Sequence, residues 1–119
     1  MKVSIPAKAE YLSMLRLMVS GVSRQFGLDD DSIDDLKIAV TEVLGRVIDN
    51  NHAQRLTMKL VPQDNGIAIY LGPIKKFSKE GFFSCPHFGF DAFRSLVDDF
   101  KATKDGQNYQ LYLAKRVYD

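Results

Sequence analysis

The stretch Leu56-Thr57-Met58-Lys59-Leu60-Val61-Pro62-Gln63-Asp64-Asn65-Gly66-Ile67-Ala68-Ile69-Tyr70-Leu71 decides the fold class. Two strand-like runs, Leu56–Val61 and Ile67–Leu71, flank a polar segment that ends in Asn-Gly. That pair is a strong signal for a hairpin between antiparallel strands. Upstream the period changes. Leu12, Leu15, Val19, Val22 and Phe26 recur at spacings of three and four, which predicts one face of a helix over residues 8–26. Gly27 follows, where a helix end needs a left-handed backbone. A second helix starts near Asp29-Asp30-Asp31, whose carboxylates suit an N-cap and the positive end of the helix dipole. Its apolar stripe is Ile33, Leu36, Val40, Val43, Leu44 and Val47, and Asn50-Asn51 closes it. Residues 2–5 alternate and predict a short strand ended by Pro6.

Downstream, residues 72–88 contain Gly72, Pro73, Gly81 and Pro86 among several aromatics, and predict a long loop. Loops beyond about 12–15 residues in a compact domain are usually functional or mobile. A short helix is expected over Phe90–Asp99, with Phe93, Leu96 and Val97 inward. A second hairpin, Phe100–Thr103 and Tyr109–Val117, turns at Lys104-Asp105-Gly106. Helices and antiparallel strands are thus segregated rather than alternating. The expectation is an α+β two-layer sandwich, a mostly antiparallel sheet with helices on one face.

The 119 residues fit a single domain, 1–119, with 45% apolar and 26% charged residues, enough for a core without staples. Sixteen basic against fifteen acidic residues give a net charge of +1, which removes the whole-chain argument for a nucleic-acid or anionic-membrane partner. No apolar run approaches the roughly 20 residues of a spanning helix, and the first residues lack the apolar core of a secretion signal. Cys85 is the single cysteine, so no intrachain disulfide is possible, and a cytoplasmic setting is expected.

The segments Ile5-Pro6-Ala7, Glu10-Tyr11, Arg16-Leu17 and Ser20-Gly21-Val22 resemble the first helix of RsbW-type anti-sigma factors. These are small serine-protein kinases with the histidine-kinase-like ATPase (Bergerat) fold. Ile33-Asp34-Asp35-Leu36-Lys37-Ile38-Ala39-Val40-Thr41-Glu42 resembles their second helix more closely, and Leu96-Val97-Asp98-Asp99-Phe100 the end of their third. The resemblance implies a nucleotide site made of three boxes, and each is altered here. In the first, Glu-x-x-x-Asn, Glu42 fits the base or positioning group, but Arg46 stands at the magnesium-ligating asparagine. Asn50 falls where the family often has histidine. A guanidinium has no lone pair for a metal that wants oxygen ligands. In the second, Asp-x-Gly, the stretch Ile69-Tyr70-Leu71-Gly72-Pro73-Ile74 offers no acid to accept from the adenine amino group. An unmet buried amino group costs about 1–3 kcal/mol. In the third, Gly-x-Gly, His87-Phe88-Gly89 keeps only Gly89, and the larger side chains crowd the space a phosphate needs.

The expected function is therefore that of a regulator acting by protein–protein binding, with ordinary Mg·ATP binding lost and no cofactor required. The resemblance implies a sigma factor or a STAS-domain antagonist as partner, a homodimer, and partner contact through Arg16. The alternative is an active serine/threonine protein kinase that binds ATP and magnesium, with Glu42 as base. Glu42 and Arg46, four apart, are expected to form a salt bridge across the floor of a vestigial pocket. Phe77, Phe82, Phe83, Phe88, Phe90 and Phe93 are expected to fill that pocket. Plainer readings stand beside these: Arg16 as a solvated helix charge, Glu42–Arg46 as a surface pair worth about 0.3–0.5 kcal/mol, and Cys85, His87 and His52 as structural residues, too few for a closed metal site.

Overall fold

A computed structural model describes residues 1–49, 53–75, 96–106 and 108–117. The chain runs β1 (Lys2–Pro6), a 3-10 turn (Ala9–Tyr11), α1 (Leu12–Gln25), α2 (Asp30–Asp49), β2 (Arg55–Gln63), β3 (Gly66–Lys75), β4 (Asp99–Asp105) and β5 (Asn108–Arg116). The strands form one sheet in the order β1-β2-β3-β5-β4, with every neighbouring pair antiparallel. The two helices and the sheet share one core, so the architecture is the α+β sandwich expected from the sequence.

The core is built from the stripes the periodicity picked out. Leu15, Val19 and Val22 of α1 and Ile33, Leu36, Val40, Val43, Leu44 and Val47 of α2 are buried. They meet Leu56, Met58, Leu60, Ile69, Leu71, Leu111 and Leu113, one side of the pleat on three adjacent strands. Helix α2 starts on Asp29, whose side chain accepts from the Ser32 backbone N–H at 2.9 Å while its carbonyl accepts the first helical bond from Ile33.

Four expectations need correction. Helix 8–26 begins as a 3-10 turn and ends at Gln25, and Phe26 is 43% exposed rather than inward. The reason lies in the cap. Gly27, at φ 90°, reverses the chain, Gly27 and Leu28 donate to the Arg24 and Ser23 carbonyls, and Leu28 is the residue returned to the core. Strand β1 includes Pro6, which pairs with Arg55; on an edge strand its missing N–H costs no ladder bond. Strand β3 runs past Gly72 and Pro73 to Lys75, so the loop does not begin at residue 72. A register shift between Leu71 and Ile74 absorbs the Gly72-Pro73 pair, which has a cis peptide bond. Asp99 opens β4 rather than ending a helix, and it pairs with Ala114. Most of the helix expected over Phe90–Asp99, the rest of the loop and its phenylalanines, His52, Cys85 and His87 lie outside the described residues.

Candidate functional site

Helices α1 and α2 pack side by side, and the inward stripe of α2 dictates what its flank presents. Asp34, Lys37, Ile38 and Thr41 recur at three and four residues beside the buried positions, and Glu42 extends the row. Arg16 projects from α1 one residue beyond buried Leu15. These six side chains line one surface groove of about 340 Å³. The structure therefore brings together Arg16 and Glu42, two residues 26 positions apart that the sequence analysis singled out separately.

The groove carries charges of both signs on an apolar and hydroxyl-bearing floor. Lys37 and Asp34 form a loose ion pair at 3.9 Å, while Arg16 and Glu42 are exposed. Ile38 is 50% exposed, an apolar contact point among the charges. The Thr41 hydroxyl oxygen is buried and has no hydrogen-bond partner among the described residues. A surface of this kind, with two cations, two carboxylates and an exposed isoleucine, suits an amphipathic protein segment.

Arg46 stands one turn further along α2 and is half-buried. The expected Glu42–Arg46 bridge is not among the ion pairs of the described residues. The two side chains leave the helix about 40° apart: Glu42 reaches the groove with Arg16, and Arg46 makes other contacts. Gly72 of β3 pairs with Thr57 of β2 and lines a separate hollow of about 340 Å³ on the sheet, with Lys59, Tyr70 and Pro73 among its walls. A Cβ at Gly72 would lie 3.2 Å from the Tyr109 carbonyl oxygen, so its small size serves strand packing. Asn50 and Gly89 lie outside the described residues. Tested against Mg·ATP, the described part of the first box does not fit. Arg46 offers five donors and no acceptor, so it cannot take the place of an oxygen ligand to magnesium.

Sequence reasoning missed Asp34, Lys37, Ile38 and Thr41 as groove residues, although all four lie in the segment quoted for the family resemblance. Their signal was positional, since each sits beside the apolar stripe; which flank faces α1 depends on helix packing. It also missed a tie near the start of α2. Lys115 of β5 points inward, lies 3.5 Å from the Asp35 carboxylate and donates to the Leu96 carbonyl at 3.0 Å. Its side chain is only 13% exposed, and it joins the sheet, the start of α2 and the approach to β4. At the same end, hydrogen bonds from Ser32, through its hydroxyl and then its backbone N–H, hold the Asp29 carboxyl below its ordinary value.

No protein-family model matches the chain. Among curated proteins it is 39% identical over 59 residues to the serine-protein kinase RsbW of Halalkalibacterium halodurans, an alignment covering 50% of this chain and 36% of that protein. It is 26% identical over 87 residues to the protein of the same name from Bacillus thuringiensis strain Al Hakam, covering 63% of this chain and 54% of that protein. The chain thus spans between about a third and a half of the length of these relatives. Among solved structures, a Mycobacterium tuberculosis protein with RsbU and RsbW domains superposes with a TM-score of 0.68 at 14% identity, over 98% of this chain and 32% of that one. The likeness to the solved structure concerns fold alone, and it extends across the sheet and both helices. Taken together, the comparisons show that the chain is similar over part of its length to serine-protein kinases RsbW and shares the fold of a structure with an RsbW domain.

Proposed function

We propose that this domain is a regulator that binds another protein through the α1–α2 groove and has lost ordinary Mg·ATP binding. The observation that carries the reading is a pairing of gain and loss on one helix. Glu42 shares a groove with Arg16, while Arg46 stands one turn away, where the family resemblance implies a metal ligand. The partner class is the one the family resemblance of the sequence implies, a sigma factor or a STAS-domain antagonist, and the setting proposed with it is the cytoplasm. Among the described residues no helix is long and apolar enough to cross a membrane. The homodimer belongs to the same proposal. Strand β1 lies at a sheet edge, with its register extended by mutual hydrogen bonds between Met1 and Leu60. That edge is where two N-terminal regions would pair.

The test is binding of purified sigma factor and STAS-domain proteins from the parent bacterium, by calorimetry or surface capture. Wild type is expected to retain one of them and Arg16→Ala to lose it. Retention of neither, or equal retention by the variant, would refute the docking surface.

A second reading, an active serine/threonine protein kinase, draws support from one feature. Glu42 is exposed on the groove instead of being locked to Arg46. Transfer of labelled phosphate to a STAS protein, abolished by Glu42→Gln, would establish it in place of the first.

A further inference from the structure

The sheet face turned away from the helices carries an ordered row of side chains that the regulatory reading does not use. Lys2 pairs with Lys59, Lys59 with Tyr70, Tyr70 with Tyr112, and Tyr112 with Lys101. Cross-strand partners lie on the same side of a sheet. The register therefore sets Lys-Lys-Tyr-Tyr-Lys in one line across all five strands, about 19 Å from edge to edge. The burial alternation fixes the side: Met58, Leu60, Ile69, Leu71, Leu111 and Leu113 are buried, and the residues between them turn outward. The three lysines are exposed and both tyrosines half-exposed. The tyrosine rings lie 5.2 Å apart at 55°, and the Lys101 ammonium sits 6.0 Å from the Tyr112 ring centre.

Small and polar residues flank the row. On one side Ala68 and Ala114 pair with each other, and on the other Gly72 adjoins a hollow lined by Thr57, Asn108 and Gln110. Both alanines are buried beneath their neighbours, and the polar side chains of Thr57, Asn108 and Gln110 stand at the rim of the hollow. Among the described side chains of this face the one carboxylate is Asp99, held by Arg116 at 2.7 Å. The face is therefore locally cationic although the chain is nearly neutral, because much of the acid is concentrated around the start of α2.

We propose that this row is a binding platform for single-stranded nucleic acid, with bases stacked on Tyr70 and Tyr112 and phosphates against Lys2, Lys59 and Lys101. An occupant with anionic groups flanking flat, stackable ones matches the order of the row, and a single-stranded nucleotide chain has that alternation built in. An acidic peptide would satisfy the lysines and leave the rings without planar partners. A second copy placed face to face would bring lysines near lysines in a self-matching contact. The whole-chain charge balance, which argues against a general nucleic-acid footprint, does not register a local separation of charge.

The experiment is fluorescence anisotropy of the full chain with short labelled oligonucleotides of about eight residues. Single-stranded RNA, single-stranded DNA of the same sequence and the duplex are compared. Binding of either single strand in preference to the duplex is expected, with log K falling against log salt at a slope of about −2 for three phosphates. Tyr70→Thr and Tyr112→Thr keep β-propensity and are each expected to weaken binding roughly tenfold or more. Lys59→Gln and Lys101→Gln, at exposed sites, should each flatten the slope by about 0.7, while Arg16→Ala leaves it unchanged. Absence of single-strand binding by wild type would overturn the proposal. So would affinities unmoved by the lysine variants, displacement of the oligonucleotide by polyglutamate at equal charge, or a dimer that dissociates when the tyrosines are replaced. None of these outcomes bears on the α1–α2 groove.

Discussion

The family resemblance places Arg46 where a metal-ligating acceptor would stand, and under the proposed loss of Mg·ATP binding its guanidinium puts a permanent donor of positive charge there instead. Arg16 and Glu42 are legible in the sequence only through the family resemblance; as bare residues they read as ordinary helix charges. Both are exposed, so Arg16→Ala and Glu42→Gln should each leave stability within about 0.5 kcal/mol of wild type in urea titration. Arg16→Ala should nevertheless weaken the protein partner by about 2 kcal/mol, near thirtyfold. A stability loss matching the binding loss would mean that Arg16 is structural. Asp29 makes a prediction in pH. Its folded pKa is lowered from an ordinary 3.8 by the Ser32 hydrogen bonds. Its contribution is therefore present above that value and is lost as pH falls through the folded pKa. Thermal melts of Asp29→Ala should lie below wild type near neutrality, and the two should converge in strong acid. A gap that widens in acid would contradict the cap.

At the scale of elements, the hairpin between β2 and β3 depends on a backbone that only glycine accepts without strain. Gly66 has φ 153°, and a Cβ there would collide with the Lys115 carbonyl oxygen on the neighbouring strand. Gly66→Ala should cost on the order of 2 kcal/mol or more, read as a lower urea midpoint. A neutral result would mean the turn reshapes freely. Leu36, fully buried on α2, should cost about 2–5 kcal/mol when replaced by alanine, with Arg16-dependent partner binding retained at temperatures where the variant stays folded.

These same elements show what a sequence can and cannot disclose. The apolar stripe of α2 and the Asn-Gly turn were legible because local period and turn chemistry determine them. The length of β3 was not, since Gly72-Pro73 is a loop signal locally and tolerated in the strand only where the register shifts beside β5. Leu28 takes the inward place expected of Phe26 for a related reason, a cap whose geometry decides which apolar residue turns inward. The groove needed tertiary knowledge altogether, because the side of α2 that meets α1 is not encoded in either helix alone.

Over the whole molecule, one helical layer and one five-stranded antiparallel sheet leave two distinct surfaces. The helix side bears the mixed-charge groove with Arg16 and Glu42; the opposite side bears the lysine–tyrosine row. The fold is shared with a structure that has an RsbW domain, and the central claim is the proposal that ordinary Mg·ATP binding is lost. Isothermal calorimetry of the full chain with Mg·ATP and Mg·ADP tests it most directly. The account predicts no heat of binding in the micromolar range, with or without magnesium. Stoichiometric, magnesium-dependent binding of either nucleotide at micromolar affinity would contradict it.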